Sequence, residues 1–341
     1  MINIEKNIKT SVGDVTKVSI SKNKMELTLF SYGASIYSLK YEGVELTVRP
    51  DDIDAFLNAQ FYYGKTVGRT AGRLIAPSYD IDGISYPVRP FRGKTTKLHG
   101  GERGYSYRHF ELVSTDEDEQ SSTVIFKIAD PDGEEDYPGE LTLFVSYTLS
   151  SDNALRIDYH AESTKDTLCS ITNHIYVNLD GKGTINQHSL SIDASHYIAL
   201  DEHLVPQKKA TVEKTPFDLR KHGSIEGRLK SLEDTPIGGY DHAWVFDEKM
   251  GRATLTDSKG ELTLDLETDY PALVIFAHNI PSPDPLPEAF GDGTRSSLTL
   301  ECEYEPGGIH YPDMSDGILR KGETFHHFMS FKFSKPKKTK K

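Results

Sequence analysis

Short runs in which polar and apolar residues alternate recur along almost the whole chain. They cover residues 26–30, 35–39, 44–48, 124–128, 141–147 and 155–160, and later 262–266, 273–277, 298–304 and 324–333. Period-2 alternation sends successive side chains to opposite faces of an extended backbone, so each run is predicted as a strand with one buried face. Residues 79–86 alternate on both sides of Asp82-Gly83, a pair that favours a tight hairpin turn. Helical periodicity is scarce. Residues 53–60 and 225–232 could each make two turns, and no long amphipathic helix is present. Strands spaced by roughly 8–14 residues, without intervening helices, predict an all-β fold: a large antiparallel β-sandwich with few short helices. No Gly/Ser-rich linker, low-complexity tract or fixed-period repeat divides the chain, so residues 1–334 are expected to form one domain. Residues 335–341 are a basic tail, expected to be a solvated, disordered end, with an address signal as the alternative.

One alternating run differs from the others. In Thr172-Asn173-His174-Ile175-Tyr176-Val177-Asn178-Leu179, the residues Ile175, Val177 and Leu179 share a face with Ile171, interrupted by Asn173. Thr172, His174, Tyr176 and Asn178 share the other face, a row of hydrogen-bonding groups centred on a histidine. Such a face is either wetted surface or the floor of a pocket for a polar ligand. Residues 298–304 make a second polar face. Thr299, Glu301 and Glu303 point one way, and Leu298, Leu300, Cys302 and Tyr304 the other. Two carboxylates at this spacing lie about 7 Å apart along a strand, and their repulsion can raise one pKa.

Three glycine-bearing segments hold further ionisable groups. Residues 64–73, Gly-Lys-Thr-Val-Gly-Arg-Thr-Ala-Gly-Arg, read as a loop in close backbone contact that holds an arginine in place. The segment lacks the strand–helix setting and the Gly-Lys-Ser/Thr ending of a phosphate loop. In Lys97-Leu98-His99-Gly100-Gly101 the glycines permit a tight turn that leaves the imidazole accessible. Asp241 and His242 follow Gly238-Gly239 closely. Each segment alone has a plainer reading: an exposed arginine on a turn, a structural histidine, an aspartate capping local N–H groups, an acidic surface face.

The net charge of −13 and pI near 5.5 leave no basic face for nucleic acid and favour neutral small molecules as partners. Two cysteines, Cys169 and Cys302, are too few for a disulfide scaffold; both read as small buried apolar groups in a reducing, cytoplasmic setting. The first residues contain no apolar signal region, and no run of about 18 apolar residues suggests a membrane span. His326 and His327 are adjacent and would point to opposite faces, and no ligand pair has zinc-site spacing, so no metal is expected. There is no Gly-x-Ser-x-Gly elbow.

Taken together, these segments resemble the aldose 1-epimerase (galactose mutarotase) family. Gly68-Arg69-Thr70-Ala71-Gly72-Arg73 resembles its loop motif, Leu98-His99-Gly100-Gly101 its first histidine motif, and residues 172–179 its second. Asp136-Tyr137-Pro138-Gly139, Thr215-Pro216-Phe217-Asp218, Tyr240-Asp241-His242 and Leu300-Glu301-Cys302 follow in the family's order. The resemblance implies a supersandwich with a cofactor-free sugar site on one sheet. It implies His174 as general acid at the ring oxygen and Glu301 as general base at the anomeric hydroxyl. His99 would bond the sugar near the reacting centre. Arg73 and Asp241 would hold its hydroxyls, and Asn173 joins the sugar-binding set. Several positions depart from the commoner pattern: Gly72 where Asn is frequent, Glu303 where Gln is frequent, Pro206-Gln207-Lys208 where Pro-Thr-Gly is common, and His278.

These groups suit the reaction. A cyclic aldose is a hemiacetal; opening it removes the proton from the C1 hydroxyl and delivers one to the ring oxygen. Rotation about C1–C2 and reclosure give the other anomer. One acid and one base suffice, and no hydride or group leaves, so no cofactor is needed. An imidazole near pKa ~6.5 and an ionised carboxylate are the expected pair. Competing readings are a sugar-binding sandwich without turnover, an epimerase for hexose phosphates, a mutarotase for a disaccharide such as maltose, and a glycoside hydrolase using Glu301 and Glu303.

Overall fold

In the computed structural model, which describes residues 1–90 and 94–336, strands carry almost all of the regular structure. The α-helices among the described residues are short, Ile53–Leu57 and Glu226–Lys230, and fall inside the two windows whose periodicity allowed them. Asp52 starts the first by accepting a hydrogen bond from Ala55 N on Oδ1 at 2.8 Å. Among the described residues no helix is long and apolar enough to cross a membrane.

Three sheets organise the chain. The largest runs in the order Glu111–Glu117, Ser121–Asp130, Leu141–Ser150, Ala154–Ser163, Thr324–Ser334, Thr263–Thr268, Gly251–Thr256, Ser189–Ile192, Gly223–Ser224, with every neighbour antiparallel. Its alternation is regular: every second residue of Leu141–Ser150 is buried. An N-terminal sheet, Ile2–Thr10 through Val44–Glu45, packs on it. Val18, Ile20, Leu27 and Leu29 share one hydrophobic cluster with Val124, Phe126, Val145 and Tyr147. The third sheet has the order Pro206–Thr211, His196–Leu200, Asp241–Val245, Ala272–Phe276, Glu301–Glu303. One face of it, with Trp244, Leu273, Ile275 and Cys302, closes the same cluster. The other face carries the smaller side chains Ile198, Ala243 and Val274. Cys169 and Cys302 are free and buried.

The hairpin at residues 79–86 forms as predicted, and its turn has positive φ at both Asp82 (51°) and Gly83 (83°). Elsewhere prediction and structure differ. Residues 44–48 are a strand only at Val44–Glu45, after which Thr47 makes an isolated bridge to Val177. Residues 298–304 split into Leu298–Thr299 and Glu301–Glu303. Residues 172–179 are two short strands because they change partner. Thr172–Asn173 pairs with Thr66–Val67, whereas Tyr176–Val177 pairs with Leu298–Thr299. Of the basic tail, Lys335 forms an ion pair with Glu42. Residues 337–341 lie outside the described residues, and with them most of the expected disordered end.

Candidate active site

The partner change at residues 174–175 assembles the site. By leaving Thr66–Val67 and joining Leu298–Thr299, the chain delivers His174 beside the strand that carries Glu301. A cavity of about 210 Å³ opens there, on the free face of the third sheet. Its floor follows from register: Glu301 pairs with Val274, Val274 with Ala243, and Asp241 with Phe276, all on one face by alternation. His174 and Tyr176 form one wall, and Arg73 and His99 another.

The loop at 64–73 divides its two arginines between scaffold and site. Arg69 is buried. It donates to Asp130 Oδ2 (2.6 and 3.0 Å) and to the carbonyls of Pro138 and Gly139 (both 2.9 Å). The Asp-Tyr-Pro-Gly motif is therefore an anchor for this loop. Thr215–Asp218 is scaffold as well: Tyr240 Oη donates to Pro216 O and Trp244 Nε1 to Phe217 O. Arg73 reaches the cavity and donates to Asp241 Oδ2 at 2.8 Å. Gly72 sits at φ +65° and exchanges hydrogen bonds with His99: His99 N donates to Gly72 O (3.0 Å), and Gly72 N to His99 Nδ1 (3.3 Å). The second bond assigns the proton of the neutral His99 ring to Nε2, making it a donor.

Across the cavity, His174 Nε2 lies 3.5 Å from Glu301 Oε2. Glu301 Oε1 accepts from Thr299 Oγ1 (2.9 Å), which in turn accepts from Phe276 N (2.8 Å), so the carboxyl is held from the sheet itself. Oε2 of Glu301 and Nδ1 of His174 are buried without a hydrogen-bond partner. Burial pushes the His174 imidazole down to about 3 despite the nearby Asp241 charge. Burial pushes Glu301 up to about 8; Asp241 adds to the rise, and Thr299 and Arg73 oppose it. His99 also lies well below the ordinary histidine value, through burial and then the His174 and Arg73 charges. Burial raises Asp241, but the Arg73 guanidinium outweighs it and holds Asp241 below the usual carboxylate range. Both shifts depart from the expected pair in the direction that disfavours charge: burial lowers the imidazole and raises the carboxyl. The reason is that a charge in this desolvated space costs more than a neutral pair.

The structure brings His174, Glu301, His99, Arg73 and Asp241 together around one cavity. Asn173 is a correction. Its amide turns away from the cavity and donates to Gly64 O (2.7 Å) and Tyr147 Oη (3.3 Å), so it secures the glycine-rich loop. It follows the alternation that puts residue 173 opposite residue 174. Thr172 and Asn178 also leave the expected polar face: the first points at Met329 Sδ, and the second donates to carbonyls of Gly183 and Ser296. Pro206 lines the cavity, whereas His278 is buried behind it, with Ser296 Oγ 2.8 Å from its Nδ1.

Sequence reasoning missed four contributors. Thr299 was visible as a same-face neighbour of Glu301. Phe61 and Tyr62 line the cavity from a segment with no motif. Asp284 accepts from Gln60 N (3.0 Å) and Phe61 N (3.1 Å), fastening that segment to the Pro-rich loop that bears Ile280 at the mouth. His99, His174 and Glu301 also offer ligand atoms within 4.8 Å of one another, a donor set that chain spacing did not predict. Yet a metal would need a free lone pair on His99 Nε2, where the Gly72 bond places a proton, so the donors suit a hydroxylated ligand better.

A family model described as aldose 1-epimerase matches residues 16–332. The chain belongs to the aldose 1-epimerase family. It is accordingly an isomerase that interconverts the anomers of an aldose. A galactose mutarotase of Rattus norvegicus is 30% identical over 94% of this chain and 95% of its own length. An aldose 1-epimerase of Escherichia coli (strain K12) is 29% identical, over 91% of this chain and 92% of that protein. A crystal structure of galactose 1-epimerase from Lactobacillus acidophilus superposes with a TM-score of 0.88 at 26% identity, covering 98% of this chain and 99% of that one. The all-β architecture expected from the sequence is the family's.

Proposed function

We propose that this epimerase acts on free hexoses of the galactose and glucose type, the sugar named for the mammalian and Lactobacillus relatives being galactose. The observation that carries the reading is the 3.5 Å approach of His174 Nε2 to Glu301 Oε2 across a cavity that also holds the Arg73–Asp241 pair. Glu301 takes the proton of the C1 hydroxyl, and His174 delivers one to the ring oxygen. The pair needs one proton between them, and the burial that raises Glu301 favours keeping it. Transfer from Glu301 to His174 conserves the charge of the site, so the working ion pair arises without exchange with solvent. Asp241 favours the imidazolium and Arg73 the carboxylate. The same two groups hold sugar hydroxyls, so bound substrate and the reactive protonation state reinforce each other. His99, with its proton on Nε2, donates to an oxygen near C1.

A hydrolase using Glu301 and Glu303 is disfavoured because Glu303 is fully buried and does not line the cavity. A phosphorylated sugar would want free cations at the pocket. Among the described residues lining the cavity, Arg73 is the one lysine or arginine, and Asp241 already neutralises it. The buried free thiols of Cys169 and Cys302 suit a reducing, cytoplasmic compartment. The test is polarimetry on fresh α-galactose and α-glucose. Glu301→Gln and His174→Asn should each slow anomerisation by about 10²–10⁴-fold with the fold retained. Near-normal rates in either variant would overturn the assignment.

A further inference from the structure

The turn that presents His99 to the cavity has an unfavourable backbone. His99, Gly100 and Gly101 have φ of 50°, 85° and 104°, so three successive residues lie in the left-handed region. The glycines adopt it freely. A histidine stays there only where its surroundings over-determine the turn. On the cavity side Gly72 holds the histidine through the two hydrogen bonds already described. A second hold grips the turn from outside.

That hold is the carboxylate of Glu135, which bridges the two ends of the turn. Oε1 accepts from Arg103 N at 2.8 Å, and Oε2 lies 3.3 Å from Lys97 Nζ, which also donates to the Glu135 carbonyl. Lys97 is buried, with its ammonium 5.0 Å from the centre of the Tyr137 ring. Burial pushes that ammonium down, and the Glu135 charge is the strongest influence opposing it. Gly101 makes room for the carboxylate, since a Cβ there would overlap Oε2. Glu135 is fixed in its turn. It and Asp136 have φ of 50° and 69°, in a tight bend closed by Gly133 N donating to Tyr137 O (2.9 Å) and Tyr137 N to Glu134 O (3.0 Å). The bend runs on into Pro138 and Gly139, whose carbonyls receive Arg69. One segment therefore grips two walls of the cavity: Arg69 secures the loop that ends in Arg73, and Glu135 secures the turn that bears His99. Glu135 itself does not line the cavity.

We propose that Glu135 is a positioning residue for the anomerisation, clamping Lys97 and Arg103 so that the His99 ring keeps its orientation toward the sugar. The proposal rests on the acid–base reading of the cavity, in which His99 Nε2 donates to an oxygen near C1. The experiment is a double-mutant cycle on the full chain, with Glu135→Ala and His99→Ala read by polarimetry of fresh α-galactose. Glu135→Ala should lower kcat/KM by about 10–10²-fold, mainly through kcat, because Arg73 and Asp241 still hold the sugar. In the His99→Ala background the same substitution should change kcat/KM by less than about twofold, since the group it serves is gone. Long-range ¹H–¹⁵N spectra should show the His99 ring as the Nε2–H tautomer in the parent and as a mixture in Glu135→Ala. If the alanine variant fails to fold, the isosteric Glu135→Gln goes through the same cycle. It keeps an acceptor for Arg103 N but loses the charge on Lys97, so it should lose several-fold. Unchanged activity, an equal loss with and without His99, or an unaltered His99 tautomer would overturn the positioning role. A His99→Ala chain as active as the parent would instead overturn the part given to His99 in the acid–base reading.

Discussion

Gly72→Ala is a sharp test of how the arginine loop is held. Gly72 adopts φ +65°, and a Cβ there would stand 2.5 Å from Glu303 Oε1 and 3.0 Å from Pro306 Cγ. No hydrogen bond holds the carboxyl, but Glu303 is fully buried, so it can yield only by displacing packed neighbours such as Pro306. The left-handed conformation costs an alanine about 1–2 kcal/mol, and overpacking of this kind adds about 1–3 kcal/mol. The variant should therefore lose about 2–5 kcal/mol in urea unfolding. Activity should fall as well, because Gly72 carries Arg73 and exchanges hydrogen bonds with His99. A double-mutant cycle separates the terms. In a Glu303→Ala background the overlap with the carboxyl disappears and mainly the φ strain is left, so the coupling should be about 1–3 kcal/mol. A Gly72→Ala variant within about 0.5 kcal/mol of the parent, or an additive cycle, would refute the reasoning. Gly72 and Glu303, two separate departures from the family pattern in the sequence, are one contact in the structure.

Four further outcomes follow. Since the pair must hold one proton and burial sets Glu301 at about 8, kcat/KM should fall as pH rises through about 8, measured by polarimetry after correction for the buffer-catalysed rate. Folded Glu301 keeps its proton to about 8, whereas the unfolded carboxyl releases it near 4.5; its burial therefore costs stability that grows across that window. Glu301→Gln should then unfold at higher temperature than the parent at pH 8, with the gap closing toward pH 4.5 in thermal melts. Asp284→Ala removes both hydrogen bonds to the Gln60 and Phe61 amides and should raise KM several-fold while largely sparing kcat, read in initial-rate kinetics. Arg73→Ala and Asp241→Ala should mainly weaken sugar binding; unchanged KM in both would misplace them.

Much of the fold was legible because strands with one wet face alternate strictly, as Leu141–Ser150 does. The cavity lining was legible where the motifs carry ionisable side chains, as at His174, Glu301 and Asp241. Three things were hidden, each for a physical reason. The strand break at residues 174–175 depends on which partners the two halves find, a tertiary fact absent from local alternation. Asn173 has the chemistry of a sugar ligand, but its parity assigns it to the core. The shifts at His174 and Glu301 were hidden because ordinary pKa values presume an exposed group, and both side chains are buried.

Asp284 fastens the cavity's mouth by gripping main-chain amides, not side chains. Any residue at positions 60 and 61, proline excepted, presents the same N–H. The rim can therefore change its chemical character through substitution while the segment keeps its path, and the His174–Glu301 approach deeper in the cavity stays unaltered. A scaffold fastened this way lets sugar preference drift among descendants without putting the reaction at risk.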